Sequence, residues 1–225
     1  PLQFEQEEAS IIQATQSQNQ FLDLVVEESG SVEELKSLVQ AYETNYFDVF
    51  HLTGHGFVHK GQPCFVTEDD YGLPVYSSAT DLAYAFRNRW PKVIFLSGCH
   101  TGEVPSQGTV PSMAAALINA GAGVVLGWAR PVYDTTAIVA AEALYQSLAA
   151  ADPVEKSVQA AQQAMIRAHL DNPEQCPDWH LLRMYCDSRP VESLVTPLRT
   201  KGREKLRRTQ PEQDFLDDKG LVKVA

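Results

Sequence analysis

The chain has 225 residues, 44% of them hydrophobic, which is enough to build the core of one large domain or of one domain with appendages. Its 18 lysines and arginines face 29 aspartates and glutamates, and this net charge of -11 argues against a nucleic-acid backbone as the main partner. The longest apolar stretch, 113–129, is interrupted by Asn119 and three glycines, so no membrane span is predicted. The first residues do not predict a signal peptide either.

The four cysteines show no spacing typical of a disulfide framework, which indicates a reducing, cytoplasmic setting. They are Cys64, Cys99, Cys176 and Cys186. The chain begins at Pro1 without a methionine, and we interpret this as a truncated or processed N-terminus.

The N-terminal region predicts helix, strand and helix in turn. Residues 5–20 are polar and indicate a surface helix, and residues 21–28 are rich in β-branched side chains and predict a short strand. Ser31 followed by Glu34 is a capping-box pattern. The helix that it opens places its apolar residues on one face, namely Val32, Leu35, Leu38, Val39 and Tyr42.

The middle of the chain predicts strands around a hairpin. The run 46–53 is apolar and β-rich and is expected to end at the sequence GHG, where glycines permit backbone conformations that a strand does not use. Residues 62–77 predict a hairpin, and Ser78 with Asp81 opens a helix. The apolar run 92–98 is typical of a parallel strand that is covered on both faces.

The C-terminal region continues the alternation. Residues 111–121 predict a helix and 122–128 a buried strand, followed by a helix over 135–150 that Asp134 or Thr135 could cap. The sequence DPVE at 152–155 is a second capping-box pattern that opens a further helix. This order of elements predicts a doubly wound α/β fold with parallel crossovers. Residues 197–225 are charged and predict a linker or tail.

Two predicted strands end in similar sequences, HLTGHG with His55 and LSGCHTG with Cys99. If these strands are adjacent and parallel, about 4.8 Å apart, their carboxyl ends bring the imidazole and the thiol within reach of each other. An imidazole that takes the proton of a thiol makes it a nucleophile, and backbone N–H groups of Gly56 and Cys99 could bind an oxyanion. The alternative is that Cys99 is inert packing, as a cysteine at a strand end often is.

Other signals compete with this interpretation. His51 lies about 13 Å from His55 along a strand, which favours a core or supporting role, and His100 points away from its neighbour Cys99 in an extended backbone. The spacing of Cys176, His180 and Cys186 matches no common zinc site, and no metal or other cofactor is predicted.

The ordered motifs resemble one known family. FDVFHLTGHG, VIFLSGCHTG, INAGAGVVLGWARPVYD and PDWHLLRMYCD together are similar to the CHAT family of caspase-like cysteine peptidases, which are related to separases. The resemblance implies a caspase-like three-layer α-β-α sandwich over residues 1–196, with a mostly parallel sheet and a hairpin inserted after the catalytic histidine. It implies hydrolysis of peptide bonds by Cys99 and His55 without a metal.

The resemblance also suggests substrate-binding residues. They are Gly98, where the family usually has alanine, Trp128, Arg130 in place of a family tryptophan, and Asp134. Asp134 could select a basic P1 side chain, as related separases do, or it could only cap its helix. Both interpretations of Asp134 stay open at this point.

We therefore expect a cytoplasmic cysteine endopeptidase that acts on protein or peptide substrates. We expect it to be gated by a partner or by further domains of a longer protein, with no membrane or nucleic acid bound through this domain. The alternative is a caspase-like binding or regulatory module with little or no peptidase activity. A thiol-dependent amidase fits Cys99 and His55 but not the whole set of motifs.

Overall fold

The computed structural model describes residues 4–16, 24–87, 89–98, 109–130, 132–187, 191, 194 and 223–224. Described helices and strands, in chain order, are α1 (Phe4–Gln16), β1 (Leu24–Val25), α2 (Val32–Ala41), β2 (Val49–His59), β3 (Gln62–Glu68), β4 (Pro74–Ser78), α3 (Ala79–Phe86), β5 (Val93–Gly98), α4 (Thr109–Ala120), β6 (Val124–Trp128), α5 (Asp134–Ala149), α6 (Val154–Asp171), β7 (Leu182–Cys186) and β8 (Lys223–Val224).

The centre of the fold is a six-stranded sheet with the order β4-β3-β2-β5-β6-β7. Its three central strands, β2, β5 and β6, are parallel to one another. The strands β3, β4 and β7 each run antiparallel to a neighbour. The sheet is therefore mixed, which corrects the prediction of a mostly parallel sheet.

The chain connections explain the antiparallel strands. Tight turns join β2 to β3 and β3 to β4, and such short connections allow only antiparallel pairing. Two consecutive helices, α5 and α6, separate β6 from β7, so the chain reverses once more than in a βαβ unit and β7 returns antiparallel to β6.

Helices cover both faces of the sheet. On one face α1, α5 and α6 pack against the sheet in a cluster that includes Phe95, Leu126 and Trp128. On the other face α2, α3 and α4 pack in a cluster that includes Ile94, Leu96 and Val125. Because neighbouring residues of β5 and β6 face opposite clusters, both strands are continuous apolar runs, and every residue of each is buried. The result is an α/β domain compatible with a caspase-like fold.

Two helix starts were predicted correctly and a third was not. The Ser31 side chain accepts a hydrogen bond from the backbone N–H of Glu34, and Ser78 forms a complete capping box with Asp81. The carboxylate of Asp152 does not cap α6, which has Pro153 at its N-cap position. It instead accepts hydrogen bonds from Ser147 Oγ at 2.8 Å and Lys156 Nζ at 2.6 Å.

The first helix and the short strands β1 and β8 lie outside the six-stranded sheet. The predicted surface helix, α1, packs on α5 and buries one side of itself, including Ile11 and Ala14. Within the described part of the strand predicted over 21–28, residues 24–28, the strand is β1, which pairs antiparallel with β8.

None of the helices in the described ranges is both long enough and apolar enough to cross a membrane.

Candidate active site

The parallel pairing of β2 with β5 stops where β5 ends, beside the middle of β2. The two strands pair in parallel register from Val49 opposite Val93 to Gly54 opposite Gly98. His55 follows Gly54 directly, and its side chain is half-buried. Cys99 follows Gly98 but lies outside the described residues, as does His100. The approach of His55 and Cys99 therefore stays a prediction, although the strands that carry them are adjacent.

The prediction that β2 ends at the sequence GHG is wrong. The strand continues through Gly54, His55 and Gly56 to His59, with extended backbone at both glycines. Beyond Gly54 it pairs antiparallel with β3, and His55 lies opposite Val66. The antiparallel pairing with β3 supplies backbone partners for the part of β2 that extends beyond β5, so His55 lies within a regular strand.

A tight turn closes this hairpin. Lys60 and Gly61 form the two-residue connection between His59 and Gln62, with φ values of 50° and 79°. Positive φ at both central positions is the signature of a type I′ turn, whose twist matches that of paired strands. The turn therefore stabilises the long strand on which His55 lies.

The backbone nitrogen of Gly56 lies close to the end of β5. A Cβ atom placed on Gly98 would lie 3.8 Å from Gly56 N, 3.8 Å from Gly54 O and 3.8 Å from Phe65 Cζ. The missing Cβ of Gly98 thus leaves room for about one methyl group next to the Gly56 amide nitrogen. Of the two predicted oxyanion-binding residues, Gly56 is near the strand end, and Cys99 is outside the described residues.

A buried polar network lies directly beneath these strand ends, and it centres on Glu7 of α1. The Glu7 carboxyl oxygen Oε2 accepts a hydrogen bond from Thr53 Oγ1 at 3.1 Å, and Oε1 accepts one from Ser97 Oγ at 3.4 Å. Oε1 also lies 3.6 Å from His51 Nε2. The phenol oxygen of Tyr145 lies 3.3 Å from His51 Nδ1. The network connects α1 and α5 to β2 and β5.

Burial perturbs every titratable group of this network. Desolvation raises the pKa of Glu7, against the hydrogen bonds from Thr53 and Ser97, which lower it. Desolvation lowers the pKa of His51 to about 4, and burial also raises the pKa of Tyr145. His51, which stacks on Phe95 with ring centroids 4.6 Å apart, is thus a neutral core histidine near pH 7, which agrees with the predicted supporting role.

Sequence reasoning missed Glu7. It was placed on a surface helix, yet only 5% of the residue is exposed. The signal was present in the spacing, because Glu7 shares one helical face with Ile11 and Ala14, both of which are buried. A carboxyl group on the apolar face of a helix is unusual enough to mark a specific role.

Asp134 begins α5 near the same end of the sheet. Tyr133 occupies the N-cap position, so the interpretation of Asp134 as the helix cap is wrong. The Tyr133 backbone N–H instead donates to Asp178 Oδ2 at 3.1 Å, which holds the start of the helix from a distant part of the chain. The charge of Asp134 contributes to the raised pKa of Glu7, so the two carboxyl groups are close enough to interact.

The other predicted substrate-binding residues differ in exposure. Trp128 ends β6 with 0% exposure and packs near Phe95, whereas Arg130 is exposed and Gly98 is buried at the end of β5. Trp128 lies within the core beneath the strand ends. Contact of any of these residues with substrate stays a prediction.

Among the described residues, no three His, Cys, Asp or Glu side chains are grouped so that they could hold a metal ion.

Comparison with known families matches residues 1–187 to the CHAT domain. The chain belongs to this family. CHAT domains are related to caspase-like cysteine peptidases, and the match includes every candidate site residue from Glu7 to Asp134. A search of curated proteins gave no significant match.

The CHAT match and the sheet register concern the same residues. The family match extends over both strand ends, and the register places Gly54 opposite Gly98. In this CHAT domain, the half-buried His55 and the Gly56 amide nitrogen lie at one end of the sheet, above the carboxyl of Glu7.

Proposed function

We propose that this CHAT domain is a cysteine endopeptidase in which Cys99 attacks the scissile carbonyl and His55 acts as general base and general acid. The observation that carries the proposal is the parallel pairing of β2 with β5 up to Gly54 and Gly98, the residues just before His55 and Cys99. Residues that follow the paired part of two adjacent parallel strands are expected at the same edge of the sheet, where α/β proteins bind ligands.

The proposed reaction has two stages. His55 accepts the thiol proton, and the Cys99 sulfur bonds to the carbonyl carbon while the C=O electron pair moves to oxygen. When the oxyanion collapses, the C–N bond breaks and the imidazolium of His55 gives its proton to the leaving amine. Water then attacks the thioester, which releases a carboxylic acid and restores the Cys99 thiol. No metal or cofactor is needed to balance these steps.

The oxyanion is proposed to bind the backbone N–H groups of Gly56 and Cys99. Support comes from the Gly56 nitrogen, which lies 3.8 Å from the position of a Cβ atom on Gly98 and therefore borders the strand end. The Gly56 N–H belongs to a paired strand, and a donor fixed in this way needs no reorganisation as the negative charge develops.

The substrate is proposed to be a protein or peptide with a basic P1 residue. Asp134 supports this preference, because its carboxylate lies at the first residue of α5, near the same end of the sheet as Glu7. A carboxylate in this position attracts a cationic side chain, whereas the buried Glu7 lies beneath the site. The exposed Arg130 would stay at the rim of such a site.

We further propose a caspase-like three-layer sandwich in which the hairpin of β3 and β4 is the insertion after His55. Residues 1–196 would form the peptidase domain and 197–225 a charged linker or tail, with activity gated by a partner or attached domain. A reactive thiol requires a reducing compartment, which favours the cytoplasm.

Cleavage of a peptide library and of candidate proteins tests the proposal. The wild-type chain is compared with Cys99→Ala, His55→Ala and a matched control, His169→Ala, which removes a histidine from α6. We expect cleavage by the wild-type chain and the control and a loss of at least about 1,000-fold in the two site variants. Cleavage that persists in both variants would exclude the proposed residues, and no cleavage under any activating condition would favour a binding module.

A further inference from the structure

Glu7 is a buried carboxyl group whose place in the core needs an explanation. Its side chain is 6% exposed and lies on the face of α1 that packs into the protein. Burying a carboxyl group costs free energy, whereas burying a leucine side chain at the same position would stabilise the fold. Glu7 therefore stabilises the fold less than an apolar residue would, which points to a role for its hydrogen bonds other than stability.

The two oxygens of Glu7 divide between two strands. Oε2 accepts from Thr53 of β2, and Oε1 accepts from Ser97 of β5. Thr53 and Ser97 are direct partners in the parallel register, so one carboxyl group bridges a single row of the sheet. The bridge lies one residue before Gly54 and Gly98, where the pairing of β2 with β5 ends.

The bridge is also adjacent to His55. Successive side chains of a strand alternate between its faces, so His51, Thr53 and His55 share one face of β2. The contacts of Glu7 with His51 and Thr53 identify that face as the one that α1 covers. His55 is thus the next side chain on this face after Thr53, about 6.6 Å further along the strand.

We propose that Glu7 is a positioning residue for the active site. By holding Thr53 and Ser97, it fixes how far apart β2 and β5 lie where their pairing stops and hence where the His55 imidazole is presented. The inference rests on the proposed peptidase function, because it gives Glu7 a role in that site. A displacement of about 1 Å in such a group is enough to lower a rate about 100-fold.

The first test is kinetic and uses the full chain. Glu7→Leu and Ser97→Ala remove the bridge, whereas Glu7→Gln retains a carbonyl acceptor and adds a donor. We expect Glu7→Leu to lower kcat about 10- to 100-fold with KM changed less than about threefold, and Glu7→Gln to restore most of kcat.

Thr67→Val is the matched control. It breaks a hydrogen bond between two buried hydroxyls, Thr67 Oγ1 and Ser77 Oγ, which are 2.6 Å apart on β3 and β4. It therefore removes a buried polar contact of the same kind without touching the row beneath His55. We expect kcat of this variant to stay within about twofold of wild type.

The second test needs no substrate. NMR cross-peaks of the histidine rings, assigned by substitution, are compared among folded wild-type, Glu7→Leu, Ser97→Ala and Thr67→Val chains. We expect the His55 signal to move by more than its line width in the first two variants and to stay in place in the control. His51 will move in Glu7→Leu under any model, because it touches the carboxyl directly.

The outcomes separate the two proposals. If His55 keeps its wild-type signal in Glu7→Leu and in Ser97→Ala, Glu7 does not position it and the inference is wrong. If Glu7→Leu does not fold, Ser97→Ala decides by the same criterion. If the wild-type chain cleaves no peptide but the His55 signal moves as expected, the peptidase proposal fails while the positioning role of Glu7 is supported.

Discussion

Gly54 of β2 lies opposite Gly98 of β5, and the pairing of the two parallel strands ends at these residues. Neither glycine has a positive φ, so neither is required for an unusual backbone conformation. Gly98 matters through its missing side chain, because the Gly56 nitrogen and the Gly54 oxygen both lie 3.8 Å from where its Cβ would be. The end of β5 thus leaves room for about one methyl group beside two backbone polar atoms of β2 and the Phe65 ring.

The first prediction concerns the size of residue 98. Contacts of 3.8 Å accommodate a methyl group, so Gly98→Ala should leave the melting temperature unchanged or raise it slightly, since alanine restricts the unfolded chain. Gly98→Val adds two further carbons toward the Gly56 amide and should abolish cleavage. Thermal unfolding and peptide cleavage are measured for both variants. Equal cleavage by Gly98→Val and wild type would show that substrate does not use this space.

The second prediction concerns stability in acid. The unfolded His51 imidazole has its ordinary pKa of 6.5, whereas burial lowers the pKa to about 4 in the folded protein. Between these values the unfolded state binds more protons, so the free energy of unfolding falls as the pH decreases. The His51 contribution to this fall is about 3 kcal/mol. Urea titrations from pH 7 to pH 4 should show a shallower decrease for His51→Gln than for wild type; parallel curves would contradict the lowered pKa.

The third prediction concerns Glu7 and has the opposite sign. Burial raises the pKa of this carboxyl above its ordinary value of 4.5, so the folded protein holds the proton more tightly than the unfolded chain. The Glu7 contribution to stability is present below pH 4.5 and is lost as the pH rises through the raised pKa. Glu7→Gln cannot lose a proton there. Its unfolding free energy should therefore rise relative to that of wild type as the pH increases from 4 to 8, and a constant difference would refute the raised pKa.

The fourth prediction concerns the P1 residue. Asp134→Asn removes a negative charge near the strand ends and should lower kcat/KM for peptides with arginine or lysine at P1 by about tenfold, with little effect on other peptides. Glu142→Gln is the control, because it removes the same charge from an exposed position on the same helix, α5. An equal loss in both variants would assign the effect to net charge, and no loss in Asp134→Asn would remove the residue from the P1 site.

Much of the fold could be predicted from local patterns, because those patterns encode local physics. Ser31 and Ser78 were correctly predicted as caps, since a serine followed three residues later by Glu or Asp is the local pattern of a helix start. The apolar run of β5 was correctly predicted as a strand covered on both faces, and all six of its residues are buried.

The errors come from contacts that depend on distant residues. The sequence GHG looks like a strand end, yet β2 continues because β3 supplies its backbone partners, and the signal for this was the Lys60-Gly61 turn. Glu7 looks like a surface residue of a polar helix, and only the arrival of Thr53 and Ser97 from two strands explains its burial. Asp152 has the sequence pattern of a helix cap, but its carboxylate accepts hydrogen bonds from Ser147 and Lys156 instead.

The reactivity of Cys99 tests the central claim most directly, since it needs no substrate. The chain is treated with a limiting amount of iodoacetamide at pH 6, and mass spectrometry follows the alkylation of each cysteine. Cys186 is an internal reference, because it is a free and exposed cysteine on β7. If His55 holds Cys99 as a thiolate, Cys99 should react at least about tenfold faster than Cys186. This advantage should be lost in His55→Ala. Equal rates at Cys99 and Cys186 in the wild-type chain, or a Cys99 rate that His55→Ala leaves unchanged, would contradict the proposed pairing of thiol and imidazole.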